Sequence, residues 1–456
     1  MVIKILKSLK CGYLLLGDMC QAIYDYDCND YSSINSSKFY ELLDQTVPND
    51  TKRFELIGNK RQTEKLDRET SNLRNCLLHR SDFDVETVFS NNLNSIPICE
   101  YDADNYKLVG TANATTAFLC RNNGEAEYLS WLFFKNSINH TLIRTNSGSV
   151  KITRFIADIL WDYRDKNISI NDFIKRATIR CGLDENKALE MFDNLKELLY
   201  DDSERYYLDV PLLAQKMCFA TNLPSALVYI PSNTIVSTIH KAKGREFDRV
   251  YLLGYDYTHK QNDTEEERIL YVGETRPKLE LNILKKGNKY NWFFRKSQSN
   301  RWIQTKCKKN NPYSSYCSAI ATGYDEDVDY SSFVSGEFPD ALKRQMYISR
   351  YIKPGDIISL SLKNGIYDIV HNNHVIGQMS KYFSDALTDR YGNSDNKRSY
   401  INPNGLPNFI TDLYVANIIT YISYRDYDNI PAEYRHNRYW LALEISGFGK
   451  TRWEND

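Results

Sequence analysis

Residues 235–250 read IVSTIHKAKGREFDRV, and several groups able to do chemistry meet there. His240, Lys241, Lys243, Glu246 and Asp248 stand around Gly244, and apolar residues flank the set (Ile235 and Val236 before it, Val250 to Leu253 after it). The pattern predicts a strand, a glycine-containing loop carrying a histidine, two lysines and two carboxylates, and then a second strand. Loops at strand ends of α/β sheets are common ligand sites. A solvated charged loop between two core strands has the same pattern.

A second set lies downstream. Between Leu281 and Tyr324 there is no Asp or Glu, while Lys285, Lys286, Lys289, Arg295, Lys296, Arg301, Lys306, Lys308 and Lys309 cluster. Tyr290, Trp292, Phe293, Phe294 and Trp302 are interleaved with them. Basic groups with aromatic platforms suit sequence-tolerant binding of single strands, where stacking is worth about 1–3 kcal/mol per base. A flexible basic linker has the same composition. The net charge of −1 gives no global attraction to nucleic acid, so such binding would be local.

Composition sets the remaining bounds. A chain of 456 residues holds two to four domains, and 42% apolar with 26% charged residues is that of a globular protein. The ten cysteines form no CxxC pair, which points to reduced thiols in a cytosolic protein and away from a disulfide framework or zinc site. There is no long apolar run or signal peptide, so no membrane partner is expected. His371 and His374 read as hydrogen-bonded loop histidines. Gly447, Gly449, Lys450 and Thr451 imitate the end of a phosphate-binding loop, but Glu444 stands where its first glycine is required.

Four segments, in order, resemble motifs of the UvrD/Rep-like superfamily 1 DNA helicases, over roughly residues 1–284. Residues 238–250 resemble motif V (TxHxxKGLEFDxV). Gly17, Asp18, Gln21, Ile23 and Tyr24 resemble motif III (GDxxQxIY). Asn59, Lys60 and Arg61 resemble motif IV (Asn-Tyr-Arg), and residues 266–276, EERILYVGETR, resemble motif VI. Lys60, Arg245 and Pro277 depart from the usual Tyr, Leu and Ala.

The resemblance implies ATP with Mg²⁺ as cofactor and single-stranded or duplex DNA as partner, with 3′ to 5′ polarity. It places Gln21 and Arg61 at the terminal phosphate and makes Arg276 the arginine finger. It gives Gly244 close backbone approach and Glu246 a contact to ribose or nucleotide. Thr238 and His240 would link nucleotide state to DNA, and Tyr24 and Tyr26 would stack on bases, with core or rim packing the other reading. Lys289, Trp292, Arg295 and Lys296 are the further nucleic-acid candidates. The family's P-loop and its DExx carboxylates, which hold Mg²⁺, should precede motif III, where only sixteen residues stand before Gly17. The expectation is therefore the back part of such a motor, inactive as an ATPase alone, with a separate chain as one source of the P-loop half. A non-catalytic DNA-binding or partner-docking protein is the alternative.

The expected fold is α/β: a RecA-like parallel sheet of the P-loop-NTPase type (the 2A domain) with a helical insertion and a small β-rich C-terminal domain. Residues 1–50 would be a 1A remnant and 51–150 the first part of 2A. Residues 151–230 would be a 2B-like helical insertion and 231–284 the second part of 2A. Residues 285–345 would form a basic aromatic linker and 346–456 an accessory domain, where the turn at Asn364 and Gly365 signals a hairpin.

Overall fold

The apolar runs at 116–120, 234–238 and 247–253 lack polar alternation, and each becomes a strand buried over most of its length, as in a sheet covered on both faces. The computed structural model describes residues 14, 16–23, 45, 54, 61–107, 113–143, 151–199, 206–219, 223, 224, 227, 232–254, 264–287, 293–296, 301–308, 311–324, 326–335, 340–391, 405–423 and 438–453. They divide into two units. The first draws on Met1–Ala126, Asn136–Ile143 and Ser232–Tyr290, and the second on Glu127–Lys135, Arg144–Pro231 and Asn291–Asp456.

In the first unit the strands are β1 (Ile98–Asp102), β2 (Thr116–Cys120), β3 (Thr141–Leu142), β4 (Thr234–Thr238), β5 (Phe247–Leu253) and β6 (Pro277–Lys285). They form one sheet in the order β1-β6-β5-β2-β4-β3, and every pairing is parallel. The helices that matter to the site are α1 (Glu64–Leu78), α2 (Val85–Ser95), α3 (Ile239–Ala242) and α4 (Thr264–Glu274). On α1, Leu66, Thr70, Leu73 and Cys76 are buried at helical spacing. Leu66 and Leu73 join Phe89, Leu93, Leu119, Val250, Leu252 and Val272 in the unit's core.

Two local expectations change. The apolar run at residues 13–16 predicts a buried strand before Gly17, but Leu14 and Leu16 are 78% and 79% exposed, with no described strand beside them. The strand–loop–strand expected around Gly244 is a crossover, because β2 lies between β4 and β5. Parallel strands cannot be joined by a tight turn, so the short helix α3 makes the connection.

The second unit combines helices with an antiparallel sheet. The insertion supplies helices Arg154–Leu160, Ile170–Cys181, Glu185–Leu199 and Val210–Phe219 around Phe173, Phe192, Leu195, Leu208 and Met217. The ten-stranded sheet is built on the long pair Phe409–Ile422 and Tyr439–Arg452. Its hairpin at Asn364 (φ 51°) and Gly365 (φ 81°) takes the left-handed turn that these residue types favour. The sheet reaches beyond residues 346–456: strands Phe293–Lys296, Trp302–Lys308 and Asn311–Thr322 lie on it, and Ile152–Thr153 pairs with Phe409–Ile422. The glycines of the phosphate-loop lookalike lie inside strand Tyr439–Arg452. A Cβ at Gly447 would stand 2.8 Å from Asp412 O, and one at Gly449 would stand 2.4 Å from Ile410 Cγ2. Close backbone approach explains them.

Arg301, counted above with the basic cluster, is not available to a phosphate. It is 1% exposed and forks onto Asp327, which is 0% exposed, while also donating to Ala321 O at 2.9 Å. Gly323 and Tyr324 N–H groups donate to the same carboxylate at 2.7 and 2.9 Å. Arg301→Met, which leaves that carboxylate buried without its counter-charge, should cost about 3–5 kcal/mol. Urea unfolding followed by circular dichroism checks this; a loss under about 1 kcal/mol would show that the site opens to water.

Candidate functional site

Sheet register decides where the candidate residues meet. Phe247 stands opposite Pro277 at the starts of β5 and β6, and its N–H donates to Arg276 O at 3.1 Å. Thr116 is level with both Thr234 and Arg249, so Glu246 and Arg276 lie just before the N-terminal edge of the sheet. Thr238, level with Cys120, ends β4 at the C-terminal edge. The charged cluster thus collects at the edge opposite the one expected from the strand-end rule, because its members precede β5 and β6 instead of following β4.

Arg276 is 2% exposed and folds back onto the C-terminal end of α4. Nε donates to Val272 O at 2.9 Å, Nη1 to Arg245 O at 3.3 Å, and Nη2 to Thr275 Oγ1 at 2.8 Å and Gln21 Oε1 at 3.3 Å. A cation suits a helix C-terminus. All of these acceptors are neutral, and among the described residues no ion pair involves Arg276. Burial, and then the charge of Arg61, lower its pKa to about 10, so it stays cationic at neutral pH.

Gln21 closes a 3-10 turn, Met19–Gln21, capped by Asp18, whose Oδ1 accepts from Cys20 N–H at 3.0 Å. Its amide donates to Asp18 Oδ2 at 2.8 Å and turns its oxygen to Arg276. Arg61, just before α1, donates through Nη2 to Thr275 O and through Nη1 to Glu246 Oε1, both at 3.0 Å. Lys278 Nζ is 3.5 Å from Glu246 Oε2. The hydrogen bond from Arg61 is the chief cause holding the Glu246 carboxyl below its usual range. Gly244 has φ +81°, and a Cβ there would meet nothing within 4 Å, so backbone conformation is what favours glycine. Burial and then the charge of Arg276 lower the pKa of Lys243, a further cation at this place.

The structure therefore brings Gln21, Arg61, Gly244, Glu246 and Arg276 together. Thr238 and His240 stand apart from them: the Thr238 hydroxyl accepts from Lys241 N–H at 3.4 Å, capping α3, and His240 is half-buried on that helix. Arg295 and Lys296 lie on strand Phe293–Lys296 of the second unit. Tyr24, Tyr26, Lys289 and Trp292 lie outside the described residues. Arg121 has a structural task, forking onto Glu266 at the start of α4, where Glu267 receives Arg80.

Sequence reasoning overlooked the supports. Gln62 Nε2 donates to Glu274 O at 3.0 Å and Pro277 O at 3.1 Å, bracketing Thr275 and Arg276, and Thr70 Oγ1 meets Gln62 Oε1 at 3.1 Å. Glu274 is 1% exposed and accepts from Asn92 Nδ2 on both oxygens, at 2.7 and 2.6 Å. Gly273 lets α4 approach β5 closely: a Cβ there would stand 3.2 Å from Leu252 Cδ2. The available signal was adjacency, since Gln62 follows Arg61, and Gly273 and Glu274 lie inside the motif VI-like segment.

Residues 234–284 match the family model of the UvrD-like helicase C-terminal domain. The matched stretch runs from β4 through β6 and contains Thr238, His240, Gly244, Glu246 and Arg276. That stretch is similar to the UvrD-like helicase C-terminal domain. No curated protein matches the chain. Among the described residues, no helix is long and apolar enough to cross a membrane.

Burial raises the Glu274 carboxyl from 4.5 to about 8. Its contribution to stability is complete below pH 4.5, where folded and unfolded forms both hold the proton. That contribution is lost as pH rises towards 8, because the unfolded form gives up its proton while the fold still holds its own. Glu274→Gln should flatten this part of the stability–pH profile and raise the melting temperature at pH 8. Parallel wild-type and variant slopes across the window would refute it.

Proposed function

We propose that the first unit carries the sensor-and-arginine half of the ATP site of a UvrD-type DNA helicase or translocase. The observation that carries this is Arg276: a buried guanidinium whose acceptors are all neutral, with Arg61 and Lys243 adding positive charge beside it. A desolvated charge of this kind is stabilised by an anion, and guanidinium groups match phosphate oxygens. Arg276 and Arg61 would hold the terminal phosphate. Gln21, able both to donate and accept, would register whether phosphate or water is there. The turn at Gly244 leaves the backbone open to approach, and Glu246 would accept from ribose hydroxyls.

Bound ATP with Mg²⁺ would supply the phosphoryl transfer that drives such motors. An arginine placed at the transferring group is worth about 10³–10⁵ in rate in related NTPases. Among the described residues no group of His, Cys, Asp or Glu could hold a metal, so we assign the Mg²⁺ carboxylates and the P-loop to a separate segment or chain. Thr238 and His240, at the other edge of the sheet and tied to the cluster by α3, would pass nucleotide state to the DNA strand, moving 3′ to 5′.

A second reading, single-stranded-DNA binding or partner docking without catalysis, draws support from the basic stretch, part of which forms strands Phe293–Lys296 and Trp302–Lys308. Calorimetric titration of the full chain with ATP, and anisotropy with a labelled oligonucleotide at low and moderate salt, separate the two. Arg276→Ala should lower ATP affinity about tenfold or more, the scale of a lost charged hydrogen bond, and leave oligonucleotide affinity unchanged. Arg295→Glu with Lys296→Glu should weaken oligonucleotide binding and flatten its salt dependence. ATP affinity indifferent to Arg276→Ala would remove the nucleotide reading. DNA-stimulated ATP hydrolysis by the chain alone, lost on Arg276→Ala, would overturn the assignment of the P-loop elsewhere.

A further inference from the structure

We propose that Glu246 is a selectivity element, latching Arg61 until a ligand offers both a phosphate for the guanidinium and a hydrogen-bond donor for the carboxylate. The inference rests on the reading of this site as a nucleotide half-site. The two arginines differ in one respect. Arg276 donates only to neutral oxygens, whereas Arg61 gives Nη1 to the Glu246 carboxylate at 3.0 Å. In this state Arg61 already holds an anion that belongs to the protein.

The geometry suits a latch. Arg61 comes from the segment before α1 and Glu246 from the segment before β5, so the pair can part without breaking either element. Its side chains are 30% and 41% exposed, so water screens the attraction. Exposed pairs are worth about 0–1 kcal/mol, weak enough for a phosphate to displace. Arg61 would stay positioned after release, since Nη2 also holds Thr275 O at 3.0 Å.

Release has a consequence for the ligand. A bare phosphate chain that captures Arg61 faces the freed Glu246 carboxylate, with Lys278 Nζ still beside it at 3.5 Å. That juxtaposition is repulsive. A nucleoside triphosphate brings ribose hydroxyls that can donate to the same carboxylate. Glu246 therefore disfavours inorganic polyphosphates and tolerates nucleotides.

The test is calorimetric titration of the full chain with inorganic triphosphate and with ATP at fixed ionic strength. Glu246→Gln should raise inorganic triphosphate affinity about 2–5-fold, the range of a released exposed ion pair, without a matching gain for ATP. A double-mutant cycle separates a latch from a simple change of net charge: with Arg61→Ala in place, Glu246→Gln should bring a clearly smaller gain, from lost repulsion alone. A gain of equal size in both backgrounds, or in neither, overturns the latch while the half-site reading stands. Failure of both wild type and Glu246→Gln to bind inorganic triphosphate at low salt overturns that reading, and the latch with it. Glu246 is solvent-exposed, so circular dichroism of the variants should be unchanged.

Discussion

The site depends on one parallel pairing. When β5 and β6 lie side by side with Phe247 opposite Pro277, the residues before them, Glu246 and Arg276, are delivered to the same edge of the sheet. The Phe247 N–H to Arg276 O bond fixes that proximity in the backbone, where side-chain rearrangement cannot undo it. The other contacts elaborate on it. Asp248 reinforces the edge by exchanging hydrogen bonds with Thr115 before β2, and Gln62 clamps the Glu274 and Pro277 carbonyls on either side of Arg276.

Much of the parallel sheet could be read in advance because its central strands carry compact apolar stretches, Ala117 to Leu119, Ile235 with Val236, and Val250 to Leu253, as strands covered on both faces do. Helices of the insertion followed from spacing, as with Ala188, Met191, Phe192 and Leu195 on Glu185–Leu199. Strand order was not legible. That β2 separates β4 from β5 depends on pairings distant in sequence, and the charged loop looked like a simple turn until the crossover showed otherwise. The exposure of Leu14 and Leu16 failed for a related reason: an apolar run reports what a strand prefers, not whether neighbours are present to cover it.

The site shows the same division. Gln21, Arg61, Gly244, Glu246 and Arg276 could be named because their types and spacing match a helicase pattern, and they converge. The groups holding them could not be named, because support is set by geometry that no short motif encodes. Glu274 reads as one more surface carboxylate in a charged segment, yet it is buried against Asn92. Arg121 is committed to Glu266, a partner 145 residues away that no local pattern names.

Residue type alone therefore does not separate a ligand-binding arginine from a structural one; the charge balance around it does. Arg301 and Arg276 are both almost fully buried. Arg301 meets a carboxylate that receives two further backbone N–H groups, so its charge is neutralised inside the fold and a ligand would have to compete with Asp327. Arg276 is held as firmly, but by carbonyl, amide and hydroxyl oxygens, which fix its direction without cancelling its charge. Arg61 lies between these limits, with Nη1 on the exposed Glu246 carboxylate, where water screens the attraction. Ordered by how completely the protein neutralises them, the three pass from Arg301 through Arg61 to Arg276, and that order is set by the partners each fold element brings, not by the arginines themselves.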